Sequence, residues 1–168
     1  MTSPNVTRVE FTSLAEADLD TILEIELEAY PEPWSREMFR EEIRNNRSYF
    51  YLMQLDGALA GYGGFWLVLD EAHITSVTVR ADLRGQGLGR TLTRHLLEAA
   101  EEAGAHIATL EVRESNVRAQ NLYKTFGFRQ IGRRKEYYSK SGEDAIVMLL
   151  ELSPGQNSAL GKGGEAGD

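Results

Sequence analysis

The chain has 168 residues, 42% of them hydrophobic, and a formal net charge of −8, a length that suits one domain with a real core. It contains no cysteine, so disulfide frameworks and thiolate metal sites are excluded, and His73, His95 and His106 lack metal-ligand spacing, which argues against a metal enzyme. The acidic balance argues against nucleic acid as the main partner and suits a cationic one, while the absence of a leader pattern or a long apolar run reads as cytoplasmic, with no membrane partner.

Val6 to Thr12 alternates as a short strand. Leu19, Ile22, Leu23, Ile25 and Leu27 suggest a helix over Leu14 to Ala29, and the prolines of "YPEPWS" break it. Ser35 then caps a second helix that ends near Asn45. "YFYLMQLDGALAGYGGFWLVL" reads as two strands joined at Asp56-Gly57, a dipeptide that favours a hairpin turn. The strand "AHITSVTV" follows and runs into a turn holding Gly85, Gly87 and Gly89.

Beyond that turn, Leu88, Leu92, Leu96, Ala99, Ala100 and Ala103 line one face of a helix that Gly104 stops. "HIATLEVR" is a strand with Ile107, Thr109 and Glu111 on one face. Asn116 caps a short helix that ends at Gly127, and strands near Phe128 to Tyr137 and Ala145 to Leu152 complete a mixed sheet. The expected organisation is one α/β domain over residues 1–152 and a disordered tail over 153–168, whose glycine-rich composition cannot supply a core.

A glycine-rich turn entering a helix suits an anion, because bare N–H groups and the positive end of the helix dipole point the same way. The spacing fits neither of two common phosphate loops. Arg90 stands where a dinucleotide fingerprint needs its last glycine, and Gly89-Arg90-Thr91 lacks the lysine of a P-loop. A plain structural turn stays open on these residues alone.

Arg84, Gly87 and Gly89, however, match the R/Q-x-x-G-x-G/A acyl-CoA motif, and on this motif the chain resembles the GNAT superfamily of N-acetyltransferases. "EAHITSVTVRADLRGQGLGR", "LEVRESNVRAQNLYKTFGF", "RRKEYYSKSGEDAIVMLL" and "YPEPWS" are similar to blocks of its subgroup of bacterial ribosomal-protein-alanine N-acetyltransferases. These blocks reach from about Tyr30 to Leu150. The resemblance implies a mixed, mostly antiparallel sheet flanked by about four helices, with acetyl-CoA as co-substrate and no metal.

The resemblance also implies roles. Glu111 matches the family's general base, which takes the amine proton, and its neighbours Leu110 and Val112 suggest a partly desolvated carboxylate that is easier to reprotonate. A salt bridge to Arg113 is the alternative. Tyr123 matches the acid that protonates the departing thiolate, or else it packs with Phe126 and Phe128. The edge at Val77, Thr78 and Val79 would bind the pantetheine arm. Arg84, Gly85, Gln86, Gly87, Leu88, Gly89 and Arg90 would meet the pyrophosphate, and Asn116 would touch the coenzyme unless it serves only as a cap.

On the acceptor side, Tyr30, Glu32 and Trp34 in the proline-stiffened loop, with Tyr138, are the expected peptide contacts. Glu24, Glu26, Glu28 and Glu32 either steer a basic peptide or form a solvated face. The implied partner is the N-terminal alanine of a small-subunit ribosomal protein, acetylated by a monomer. A small amine or lysine acetyltransferase and a non-enzymatic acyl-CoA-binding module are the competing functions.

Overall fold

The structure, a computed structural model, describes residues 8–154. Val6 and Thr7 of the expected first strand, and residues 155–168 of the expected tail, lie outside the described residues. The elements follow in the order β1 (Val9–Ser13), α1 (Leu19–Ala29), α2 (Arg36–Arg44), β2 (Ser48–Leu55), β3 (Ala58–Val68), β4 (Glu71–Val79), α3 (Leu88–Glu102), β5 (Ile107–Arg113), α4 (Val117–Thr125), β6 (Arg129–Tyr138) and β7 (Glu143–Glu151). The seven strands form one mixed sheet in the order β1-β2-β3-β4-β5-β7-β6. β4 pairs with β5 in parallel, whereas β1 with β2, β5 with β7 and β6 with β7 are antiparallel. Among the described residues this is the mixed α/β architecture with four α-helices that the resemblance implies.

Local chemistry sets most boundaries. Ser35 accepts from Met38 N–H at the start of α2, and Asn116 accepts from Ala119 N–H at the start of α4. Asp56 and Gly57 both take positive φ, the geometry of a tight hairpin turn. The helix expected from Leu14 starts only at Leu19. Leu14 N–H donates to the Phe50 carbonyl and Ala15 N–H to the Asp18 carboxylate, so both residues are bound outside a helix.

Contacts divide the chain into two compact units, one reaching to Gly64 and including Ser76–Thr93, the other comprising Phe65–Thr75 and the chain from Arg94. The first unit packs Leu19, Ile22, Phe39, Phe50, Leu52 and Tyr62, all at most 6% exposed, around stacked and edge-on rings 5.9–6.1 Å apart. Rings at such separations add about 0.5–1.5 kcal/mol per pair beyond their burial. A Cβ on Gly61 of β3 would lie 2.5 Å from the Thr78 carbonyl oxygen, so only glycine allows β3 that close to β4. In α1 the buried set is Leu19, Ile22, Ile25 and Glu26, while Leu27, expected on the apolar face, is 66% exposed.

In the second unit Ala108, Leu110 and Val112 of β5 face a buried layer that includes Ile146 and Met148 of β7. Thr109 and Glu111 take the opposite face by strand alternation. β6 is not the plain strand the sequence suggests. Its register against β7 shifts between Arg134 and Tyr138, where Glu136 has φ 51° and donates its N–H to Asp144.

Candidate active site

Within the second unit the parallel register sets His73 of β4 opposite Thr109 of β5. Glu111, two residues along on the same face, is thereby within reach. Its Oε1 lies 2.7 Å from His73 Nε2 and its Oε2 lies 3.6 Å from Arg134 Nε. The Glu111 side chain is only 10% exposed. Burial alone would raise its pKa, but the His73 hydrogen bond outweighs burial and holds the carboxyl below its ordinary range. That reverses the direction expected from its apolar neighbours. The same hydrogen bond raises His73 above its ordinary value, against the opposing effect of its burial.

The pair borders an open hollow of about 590 Å³, also lined by Trp66, Glu71, Thr109 and Arg134. Thr109 donates to Glu71 at 2.7 Å, which fixes the hollow's wall beside the pair. Arg113, offered by the sequence as a salt-bridge partner of Glu111, lies 3.4 Å from Glu143 and sets its guanidinium 3.9 Å over the Tyr138 ring. Burial pushes the Tyr138 phenol up to about 12. Tyr123 is 7% exposed, with its ring edge-on to Phe128 at 5.7 Å, and Asn116 spends its Oδ1 on the cap of α4.

In the first unit the glycine turn is exposed and ends in α3. Gly85 and Gly87 have φ of 82° and 84°, and a Cβ on Gly87 would meet no atom within 4 Å. The opening N–H groups of α3 have no acceptor within the helix, and its first turn holds no acidic side chain. Open space over bare backbone, beside Arg84 and Arg90, fits a pyrophosphate. Arg84 itself folds back, its Nε donating to the Val79 carbonyl at 3.2 Å.

The structure brings together two expected groups in that unit. Tyr30 reaches the β4 edge, its hydroxyl 2.7 Å from Thr78 Oγ1 and 3.5 Å from the Val77 carbonyl. Trp34 packs its ring 5.0 Å from Phe39, and its backbone N–H donates to Glu26 Oε2 at 2.9 Å. Glu32 is half-buried in the same loop. Glu26, read from sequence as a steering charge or a solvated one, is neither: it is 3% exposed and accepts from Tyr62 at 2.6 Å. Its burial raises its pKa, opposed by the two donors.

Sequence reasoning assigned Arg134 and Tyr62 no role, weighed His73 only as a metal ligand, and placed Glu26 only as a surface charge. The available signal for His73 was its place in strand alternation with Glu71 and Thr75, but only the pairing with β5 turns that position into a contact. Among the described residues no group of acidic, cysteine or histidine side chains is arranged to hold a metal ion, and no helix is long and apolar enough to cross a membrane.

The model of the acetyltransferase (GNAT) family matches residues 19–128. A relative from Bacillus subtilis (strain 168) is 40% identical over 148 residues, 88% of this chain and 98% of its own. The ribosomal protein bS18-alanine N-acetyltransferase of Escherichia coli (strain K12) is 38% identical over 144 residues, 84% of this chain and 97% of its own. The crystal structure of the ribosomal-protein-S18-alanine N-acetyltransferase from Escherichia coli is similar with a TM-score of 0.80 at 36% identity, covering 87% of this chain and 95% of that one.

Proposed function

Because the chain belongs to the acetyltransferase (GNAT) family, we propose that it transfers the acetyl group of acetyl-CoA to the N-terminal α-amine of a protein, in the cytoplasm. The proposed acceptor is the alanine that opens a small-subunit ribosomal protein. The relatives above support that choice. Acetyl-CoA supplies a thioester open to attack by an amine.

The observation that carries this reading is the His73–Glu111 pair bordering an open hollow. An α-amine has a pKa near 8, so at neutral pH it is mostly protonated and a base must take its proton before it attacks. Glu111 alone, held below its ordinary pKa, is a weak base. Joined to His73, whose pKa is raised, it belongs to a pair that accepts one proton and shares it across a 2.7 Å hydrogen bond. Arg134 keeps the carboxylate oriented. Tyr123, whose side chain carries a hydroxyl donor, is assigned the proton that the leaving thiolate needs.

The N–H groups from Gly85 to Arg90 are assigned to the pyrophosphate and the Val77–Val79 edge to the pantetheine arm, which binds as an added strand. Asn116 is assigned to the coenzyme through whatever its capping oxygen leaves free, its amide group. Tyr30, Glu32, Trp34 and Tyr138 are assigned to the acceptor. The test is incubation with acetyl-CoA and an Ala-initiated basic peptide, followed by mass spectrometry of the product. Acetyl on the α-amine supports the reading; acetyl on lysine side chains alone contradicts it.

A further inference from the structure

In the second unit, β6 falls out of step with β7 near its end. Arg134 pairs with Ala145 and Tyr138 with Glu143, so Lys135, Glu136 and Tyr137 stand opposite Asp144 alone. Regular pairing would set Glu136 opposite Glu143 and carry Tyr138 two residues, about 7 Å, further along the strand. The bulge instead draws Tyr138 back to Arg113 of β5, whose guanidinium lies 3.9 Å over its ring, while Arg134, ahead of the bulge, keeps its place 3.6 Å from Glu111.

Asp144 holds that irregularity from both sides. Its Oδ1 accepts from the Glu136 backbone N–H at 2.9 Å and its Oδ2 from Arg133 Nη1 at 3.0 Å, while its carbonyl accepts from the N–H of Glu114, the residue after β5, at 3.1 Å. The Glu136 N–H, more than Arg133, keeps the Asp144 carboxyl below its ordinary range. Glu136 needs this hold. Its φ of 51° lies in the left-handed region, which crowds any residue with a Cβ, and its own side chain is exposed. Arg133 depends on Asp144 less, because Glu114 Oε2 lies 2.8 Å from the same Nη1.

We infer that Asp144 is a positioning residue for the acceptor: by accepting the Glu136 N–H it keeps the bulge in the form that presents Tyr138 to the substrate. The inference rests on the reading that Tyr138 contacts the acceptor, and deepens it. It assigns the effect to one hydrogen bond and not to the negative charge of the carboxylate, since a neutral carbonyl oxygen at that place would serve Glu136 as well.

Kinetics with acetyl-CoA and an Ala-initiated basic peptide test this. Asp144→Ala should raise the peptide KM about tenfold with kcat within about twofold, and acetyl-CoA affinity by calorimetry should not change. Asp144→Asn, whose amide oxygen still accepts from Glu136 while Glu114 keeps Arg133, should leave KM within about twofold of wild type. Glu136→Gly added to D144A should return KM to within about threefold of wild type, because glycine takes a positive φ without help. If D144A does not fold, Glu136→Val keeps Asp144 but resists that φ, and should raise KM as D144A would. Tyr138→Ala, which removes the presented ring, should raise KM at least as far. A wild type that acetylates no peptide, or a Y138A with unchanged KM, contradicts the functional reading and takes this inference with it. With an active wild type and a raised KM in Y138A, the inference alone is overturned if D144A or E136V leaves KM unchanged, if D144N raises it as far as D144A, or if E136G restores nothing in the D144A background.

Discussion

His73 Nε2 and Glu111 Oε1, 38 residues apart in sequence, meet at 2.7 Å across a parallel strand pair. Each shifts the other's titration: the carboxyl is held down and the imidazole up.

The pair's contribution to stability is confined to a pH window. Glu111 sits below its ordinary 4.5, so its share is present above that value and lost as pH falls through the lowered folded pKa. His73 sits above its ordinary 6.5, so its share is complete below that value and lost as pH rises through the raised folded pKa. The Tm difference between wild type and Glu111→Gln should therefore be largest between pH 4.5 and 6.5 and shrink on both sides. Thermal melts across that range check this; a difference independent of pH would contradict the charged pair.

His73 should also shape the pH–rate profile. The protonated imidazole cannot accept a further proton, so kcat/KM should rise with pH through the raised His73 pKa. In His73→Gln this limb should move to lower pH, and the plateau should fall about a hundredfold, within the range for losing part of a positioned base. An unchanged limb would assign the titration to another group.

The strands and caps were legible because their causes are local. Ser35 and Asn116 each sit three residues before the N–H they cap, and Asp56-Gly57 needs only its own φ angles. The base pair was half legible. Glu111 carried a recognisable motif, but His73 becomes its partner only through a strand register that no local pattern encodes. For the same reason the expected direction of the Glu111 shift was reversed: Leu110 and Val112 are visible neighbours in sequence, His73 is not. Glu26 looked like one charge of an acidic run, yet the turn of α1 that buries Ile22 and Ile25 carries Glu26 inward with them, to meet Tyr62.

Tyr123→Phe should act at the other end of the reaction. Its ring stays packed on Phe128, so folding should be little affected. Turnover should fall about a hundredfold as the leaving thiolate loses its proton donor, and raising pH should not restore it. Rescue at high pH would place Tyr123 on the amine side instead.

Gly87→Val should weaken acetyl-CoA binding more than tenfold by calorimetry. The residue has φ 84°, which a β-branched side chain resists, and its added atoms would occupy the open space over the turn. Gly132→Ala, whose Cβ also meets no atom within 4 Å, should leave affinity unchanged. Equal affinity of a folded Gly87→Val would make the turn purely structural.

The most direct test of the account is the turnover of Glu111→Gln on an Ala-initiated basic peptide at neutral pH, with the acetylated α-amine quantified by mass spectrometry. Glutamine keeps the size of the side chain and a hydrogen bond to His73 but removes the base. The account predicts kcat lower by about a hundredfold or more, acetyl-CoA affinity nearly unchanged, and a smaller defect at high pH, where the amine is already deprotonated. Wild-type turnover in that variant at neutral pH would contradict it.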